Sequence, residues 1–254
     1  MDYLLRNRGA VQSRRIVARG TTAILALASV AVTSACSEQD DDSPLGIANE
    51  NATVRFVNAL SGGTNLDIAE NGTVGTGNSN IAYGSASECT RVNDANPQLA
   101  VRTANSTTSL PGFTPSFAEG GTYTVLVTGT AASPMFTTLD DRFTVPSPGN
   151  AAVRIINATS NATTGAGNWD IYVNPGTRLG TPAATAVGRN KATEYLTVLA
   201  GQVTTIRLTN AGSTTTLQDI PVPSLLSGTV TTIVVGDAAA GSTQLQVFAL
   251  PACA

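Results

Sequence analysis

Between residues 51 and 250 apolar positions recur in runs of roughly five to eight residues, broken by clusters of Gly, Asn, Pro and Ser, and no long run shows helical periodicity. This is the spacing of strands and turns. Val54 and Phe56, like Val153 and Ile155, alternate with Arg55 and Arg154, so each strand is expected to turn its apolar side chains inward and its arginine outward. Leu99 and Val101 play the part of Ile206 and Leu208 in a later strand. The runs 123–127 and 230–235 are apolar on both faces or nearly so, as a central strand requires. Asn71-Gly72 supplies the positive φ of a tight hairpin, and Asn174-Pro175-Gly176 is expected to do the same job later.

The pattern occurs twice. NATVRFVNA at 51–59 answers NAAVRIINA at 150–158 at an offset of 99, NLDIA at 65–69 answers NWDIY at 168–172 at 103, and SEC at 87–89 answers TEY at 193–195 at 106. GTYTVLVTG at 121–129 then answers GTVTTIVVG at 228–236 at 107. An offset that grows in small steps means one module duplicated with loop insertions. Two domains are expected, at 48–146 and 150–250, joined by the short Pro- and Gly-punctuated hinge PSPG at 146–149. So short a joint limits reach and suggests that the modules touch.

Ahead of the repeats lies an address. Five arginines fall within residues 1–20, the uncharged run TTAILALASVAV follows at 21–32, and small residues lead to Cys36, the order of a secretory signal expected over residues 1–35. The apolar run is shorter than the ~20 residues a bilayer-spanning helix needs. Thr33-Ser34-Ala35-Cys36 resembles a bacterial lipobox, with Thr33 where Leu is usual, and the resemblance implies lipidation of Cys36 and a membrane anchor. The plain alternative is an ordinary cleavage site with Cys36 a bystander. Residues 36–47, rich in Asp, read as an acidic tether. Arg14-Arg15 partly resembles a twin-arginine signal, with general secretion the favoured route. Ser37 after the cysteine resembles the pattern sorted to the outer membrane of a two-membrane bacterium.

The opening VRFVNA, the DIAENG and DIYVNPG hairpins and TEYLTVLAG at 193–201 together resemble the DUF4397 family. That resemblance implies immunoglobulin-like β-domains, often in tandem, in exported or lipid-anchored bacterial proteins, and it carries over no catalytic residues. The fold class expected is therefore all-β, with two tandem immunoglobulin-like β-sandwich domains after a cleaved signal peptide.

Composition narrows the chemistry. The chain carries 14 basic and 17 acidic residues, a net charge of −3. Loss of residues 1–35 removes five basic groups and one acidic group and leaves −7, a charge that opposes nucleic acid as a partner. There is no histidine, which weighs against triad hydrolases and zinc enzymes. No cofactor or metal is expected, and neither Asp40-Asp41-Asp42 nor Asp67 with Glu70 and Asn71 has the spacing of a calcium loop.

Cys89 and Cys253 are left once Cys36 is set aside, and in an oxidising compartment they invite a disulfide, against the alternative of two free thiols. Asp67 and Asp170 recur, as do Glu88 and Glu194, so each module can present a carboxylate pair, although an Asp near a turn more often accepts backbone hydrogen bonds. Arg55 and Arg154 suit surface ion pairs with those acids. Trp169 and Tyr172 are read as sharing a strand face, with sugar stacking and core packing as the alternatives. The leading functional expectation is a non-enzymatic, lipid-anchored envelope protein that binds an envelope polymer or protein. A carboxylate-based glycan or peptide hydrolase and a purely structural spacer are the alternatives.

Overall fold

The computed structural model describes residues 51–93, 97–159, 167–176, 178–238 and 244–253. The described residues belong to a single compact unit. The described residues form strands and turns with no helix. In chain order the strands are β1 (Asn51–Asn58), β2 (Leu66–Glu70), β3 (Thr73–Val74), β4 (Thr90–Asn93), β5 (Leu99–Thr103), β6 (Thr122–Thr130) and β7 (Ser133–Asp140). There follow β8 (Asn150–Asn157), β9 (Trp169–Val173), β10 (Ala184–Val187), β11 (Lys191–Ala192), β12 (Leu196–Leu199), β13 (Thr204–Asn210), β14 (Thr216–Val222), β15 (Val230–Asp237) and β16 (Leu245–Pro251).

Each half is a sandwich. The first pairs a sheet of order β4-β1-β6-β7 with a small sheet β3-β2-β5, and the second pairs β11-β8-β15-β16, with β12 also on β8, with β10-β9-β13-β14. Within each half the opening strand lies parallel to a central strand, β1 on β6 and β8 on β15. Val54, Phe56, Leu66, Ile68, Val101 and Val125 fill the first sandwich, while Val153, Ile155, Trp169, Ile171, Ile206 and Leu208 fill the second. The inward apolar face anticipated for β1 and β8 is therefore present.

The outward face is not a surface. Val57, Leu126, Ile156, Val234 and Leu250 form a third core, which brings the β1–β6 sheet against the β8–β15 sheet. This explains why 123–127 and 230–235 are apolar on both sides: one face of each strand meets its own sandwich and the other meets the second sandwich. Leu126, Ile156 and Val234 are each 0% exposed, and full burial of such side chains contributes about 1.5–3 kcal/mol apiece.

The strand register corrects one sequence correspondence. Phe56 pairs with Val125 and Ile155 with Ile233, so residues of β6 map onto β15 at an offset of 108, not 107. The turns agree, since Gly120 donates its N–H to the Asn51 carbonyl at 3.2 Å and Gly228 donates to Asn150 at 2.8 Å. A slip of one residue exchanges the two faces of a strand, and only the 108 offset places Thr124 with Thr232 and Leu126 with Val234.

The turns divide the same way. Asn71 (φ 50°) and Gly72 (φ 82°) link Glu70 to its partner Thr73 in the tight hairpin the dipeptide predicts. Asn174 also has positive φ, at 46°, but the chain does not fold straight back there. The strand that returns along β9 begins only at Ala184, and Asn174 instead bonds Thr205 through both its backbone N–H and its side-chain oxygen. The PSPG segment is likewise tied down, with the Gly149 N–H donated to Ser227 Oγ at 2.9 Å.

Candidate functional site

The two arginines that recur on β1 and β8 meet between the sandwiches. Arg55 and Arg154 are each 3% exposed and both reach Asp141, which is 5% exposed and directly follows β7. Arg55 Nη2 lies 3.5 Å from Asp141 Oδ2, and Arg154 Nη2 donates a short hydrogen bond to Asp141 Oδ1. Arg55 Nε donates to Thr124 Oγ1 at 2.8 Å, and that hydroxyl in turn donates to Asp141 Oδ2. Arg154 Nη1 donates to the Asp140 carbonyl at 2.8 Å, and the Arg154 guanidinium lies 4.9 Å from the Tyr195 ring centroid. The expected surface pairing of these arginines with Asp67, Asp170, Glu88 or Glu194 is thus corrected. The face that carries them is covered by the partner sandwich, and the acid comes from the strand end.

The correspondence between the halves explains the stoichiometry. Tyr123 pairs with Asp140 as Thr231 pairs with Pro251, so Asp141 occupies the place that Ala252 takes in the second half. Two equivalent guanidiniums therefore share one carboxylate. Burial pushes the Arg55 guanidinium below its ordinary value; Asp141 opposes that fall and Arg154 adds to it. Burial also pushes the Tyr195 phenol up.

Beside this cluster an open groove of about 620 Å³ is lined by Arg142, Phe143, Asn150, Glu194, Tyr195 and Thr197, among others. Phe143 and Tyr195 have ring centroids 5.8 Å apart. Glu194 is exposed at this groove, and Glu88 is exposed in the first half. Arg142 forms an ion pair with Asp140 and holds that carboxyl below its usual range.

The recurring aspartates hold loops. Asp67 accepts the backbone N–H of Asn80 at 2.7 Å and of Asn105 at 2.9 Å, one on each oxygen. Asp170 accepts from Ala186 at 2.9 Å and Gly212 at 2.8 Å in the same way. All four donors have positive φ, so each aspartate secures two left-handed turns, the role an Asp near turns most often takes. Asp67 lies on β2 while Glu88 lies in the segment that precedes β4, and Asp67 and Glu70 point to opposite faces of β2. Among the described residues no three acidic or cysteine side chains come together as a metal site.

Trp169 and Tyr172 also require correction. Three residues apart on a strand, they point to opposite faces; Trp169 is 0% exposed in the core of the second sandwich, and Tyr172 is buried on the other side of β9.

Cys89 and Cys253 form a disulfide across 164 residues of chain, with Cα atoms 5.8 Å apart. It fastens the C-terminal segment after β16 to the first sandwich. Cys89 holds the position that Tyr195 holds in the second half, and both residues tie one half to the segment that leaves the other. Cys36, the candidate lipidation site, lies outside the described residues, as do the signal region 1–35 and the tether 36–47. No helix of the described residues is long and apolar enough to cross a membrane.

Sequence reasoning singled out Arg55 and Arg154 but missed Asp141 as their partner. Its signal was modest: an Asp-Asp doublet at a strand end, one residue past the last position paired with β6.

Fold and junction together define an all-β protein of two β-sandwiches joined through a buried ionic and apolar contact. Residues 52–164 match the family described as Domain of unknown function (DUF4397). The matched residues begin at Ala52 in β1, run through the rest of the first sandwich and end past β8. No curated protein matches the chain.

Proposed function

We propose that this chain is a non-enzymatic cell-envelope lipoprotein, exported by a signal over residues 1–35 and anchored through Cys36, that displays two β-sandwiches as one unit for binding or structural work. The second sandwich is on this reading a further DUF4397-like domain. The observation that carries the proposal is the junction itself. A shared apolar core, the Arg55–Asp141–Arg154 cluster and the Cys89–Cys253 bond tie the halves together, while Asp67 and Asp170 use both oxygens on loop backbone. The disulfide supports an oxidising compartment. The basic run at the N-terminus and the acidic segment after Cys36 support export and tethering.

On this reading the partners are the membrane through the lipid, and an envelope polymer or protein bound at the groove beside Tyr195. The competing enzymatic reading centres on Glu194, which lines that groove, as the carboxylate of a glycan or peptide hydrolase; a spacer would leave the groove unused. Two measurements test the proposal. Growth with a labelled lipid precursor should mark the wild type and not Cys36→Ser, and an unlabelled wild type ends the anchor reading. Purified protein incubated with envelope glycan and peptide should release no product; turnover that disappears in Glu194→Gln would establish the hydrolase instead.

A further inference from the structure

The two halves differ at one edge. In the first sandwich the gap beside edge strand β7 is closed by rings: Phe113 lies 5.6 Å from Phe56 and 4.9 Å from Phe136 between centroids, and Phe117 lies 5.1 Å from Tyr123. Strand register maps Tyr123 onto Thr231 and Phe136 onto Val247, while Phe56 maps onto Ile155. Counting on from the bridged pairs Arg102–Ser109 and Thr209–Thr216 places Phe113 at Ile220 and Phe117 at Ser224. Every ring that closes the first gap is therefore replaced in the second half by an aliphatic or hydroxyl side chain.

Where those rings are missing, the second sandwich has a pocket of about 290 Å³ between edge strands β14 and β16, lined by Ile220, Val222, Leu225, Thr231, Ile233 and Val247, among others. A volume of 290 Å³ is roughly twice that of the ~150 Å³ apolar cavity that holds benzene. Leu225 and Thr231 also line a neighbouring open depression of about 510 Å³, together with Phe143 and Leu226. Leu226 is 77% exposed. The apolar surface thus continues from the pocket out to solvent as a track, and the side chains of the pocket offer a single hydroxyl, Thr231, as polar handle.

We propose that this pocket binds a single acyl or alkyl chain, the chain end seated between β14 and β16 and the polar end left in solvent beyond Leu225. In the first half the protein fills the equivalent space with its own Phe113, which shows the chemistry the site accepts: apolar matter without a charge to desolvate. The inference is independent of how the chain is anchored or whether the groove beside Tyr195 is used.

The test is calorimetric titration of the oxidised protein with 1-decanol at two temperatures. Saturable binding at one site per chain, with a negative heat-capacity change, is expected. Val247→Phe and Ile220→Phe restore the rings of the first half and should weaken binding at least tenfold while leaving the unfolding midpoint unchanged or higher. Ala249→Glu, an exposed position at the pocket mouth, should weaken it similarly without touching the core, and serves if either filled variant fails to fold. Absence of saturable binding to the wild type, or binding that all folded variants retain, overturns the proposal.

Discussion

Replacing Asp141 with alanine removes the carboxylate that Arg55 and Arg154 share and strands two guanidiniums, each 3% exposed, between the sandwiches. Breaking a buried ion pair by removing one partner costs about 3–5 kcal/mol, because the remaining charge keeps its desolvation cost. Counting bonds sets a higher ceiling. Asp141 accepts from Arg55, Arg154 and Thr124, and hydrogen bonds to a charged group contribute roughly 1.5–3 kcal/mol each, less whatever rearrangement recovers. For a folded unit of this size the loss corresponds to a melting temperature lower by roughly 6–20 °C. Equilibrium urea unfolding of the oxidised protein measures it, with Asp140→Ala as the control, since that side chain lies at the surface. The apolar triple variant Arg55→Met, Arg154→Met, Asp141→Leu should recover most of the loss, because well-packed apolar groups replace a buried ionic cluster at little cost. An Asp141→Ala protein within about 1 kcal/mol of wild type, or a triple variant as unstable as the single one, would refute the reasoning that burial makes this acid indispensable.

Three further outcomes are expected. Cys253→Ser should lower stability by up to about 5 kcal/mol through the regained freedom of the unfolded chain, and reductant should raise the intact mass of the wild type by two hydrogens but leave the variant unchanged. Ala186 has φ 52° where the first half places Asn80, so Ala186→Asn should stabilise by a few tenths to about 1 kcal/mol in thermal unfolding; a loss would contradict the strain argument. Tyr83 donates a short hydrogen bond to the Asp237 carbonyl across the junction, and burial together with Asp237 pushes its phenol up to about 12. Because the folded state holds that proton more tightly than the unfolded chain, the contribution is fully present below the ordinary tyrosine value of about 10 and is lost as pH rises from there through about 12. Urea midpoints across that window should fall more steeply for the wild type than for Tyr83→Phe.

How much of this was legible depends on range. The β-strand character of both halves, their duplication and the Asn71-Gly72 hairpin follow from local pattern, because alternation and turn chemistry are set by neighbours in sequence. The loop-holding role of Asp67 and Asp170 was legible for the same reason, and the Cys89–Cys253 pairing followed from having two cysteines besides Cys36. Asn174 takes the left-handed conformation without a partner strand beginning beside it, so a turn signal alone does not mark where the chain returns along β9. Trp169 and Tyr172, three positions apart on β9, fall on opposite faces by the period-two rule alone.

The sequence by itself determined strands, turns, a pattern that recurs in both halves and the one outward-facing arginine each half contributes. Tertiary structure decided what outward meant. Alternation says only that Arg55 and Val57 share a face of β1, and it is equally consistent with water or a second sheet on that side. Docking of the sandwiches turned that face into a third core, made Asp141 the common partner of two arginines, and left the second sandwich open at the edge where the first is closed by its phenylalanines. Those outcomes depend on contacts that join distant parts of the chain, such as Arg55 with Asp141, 86 positions apart, and on register, where one residue of slip exchanges inside for outside.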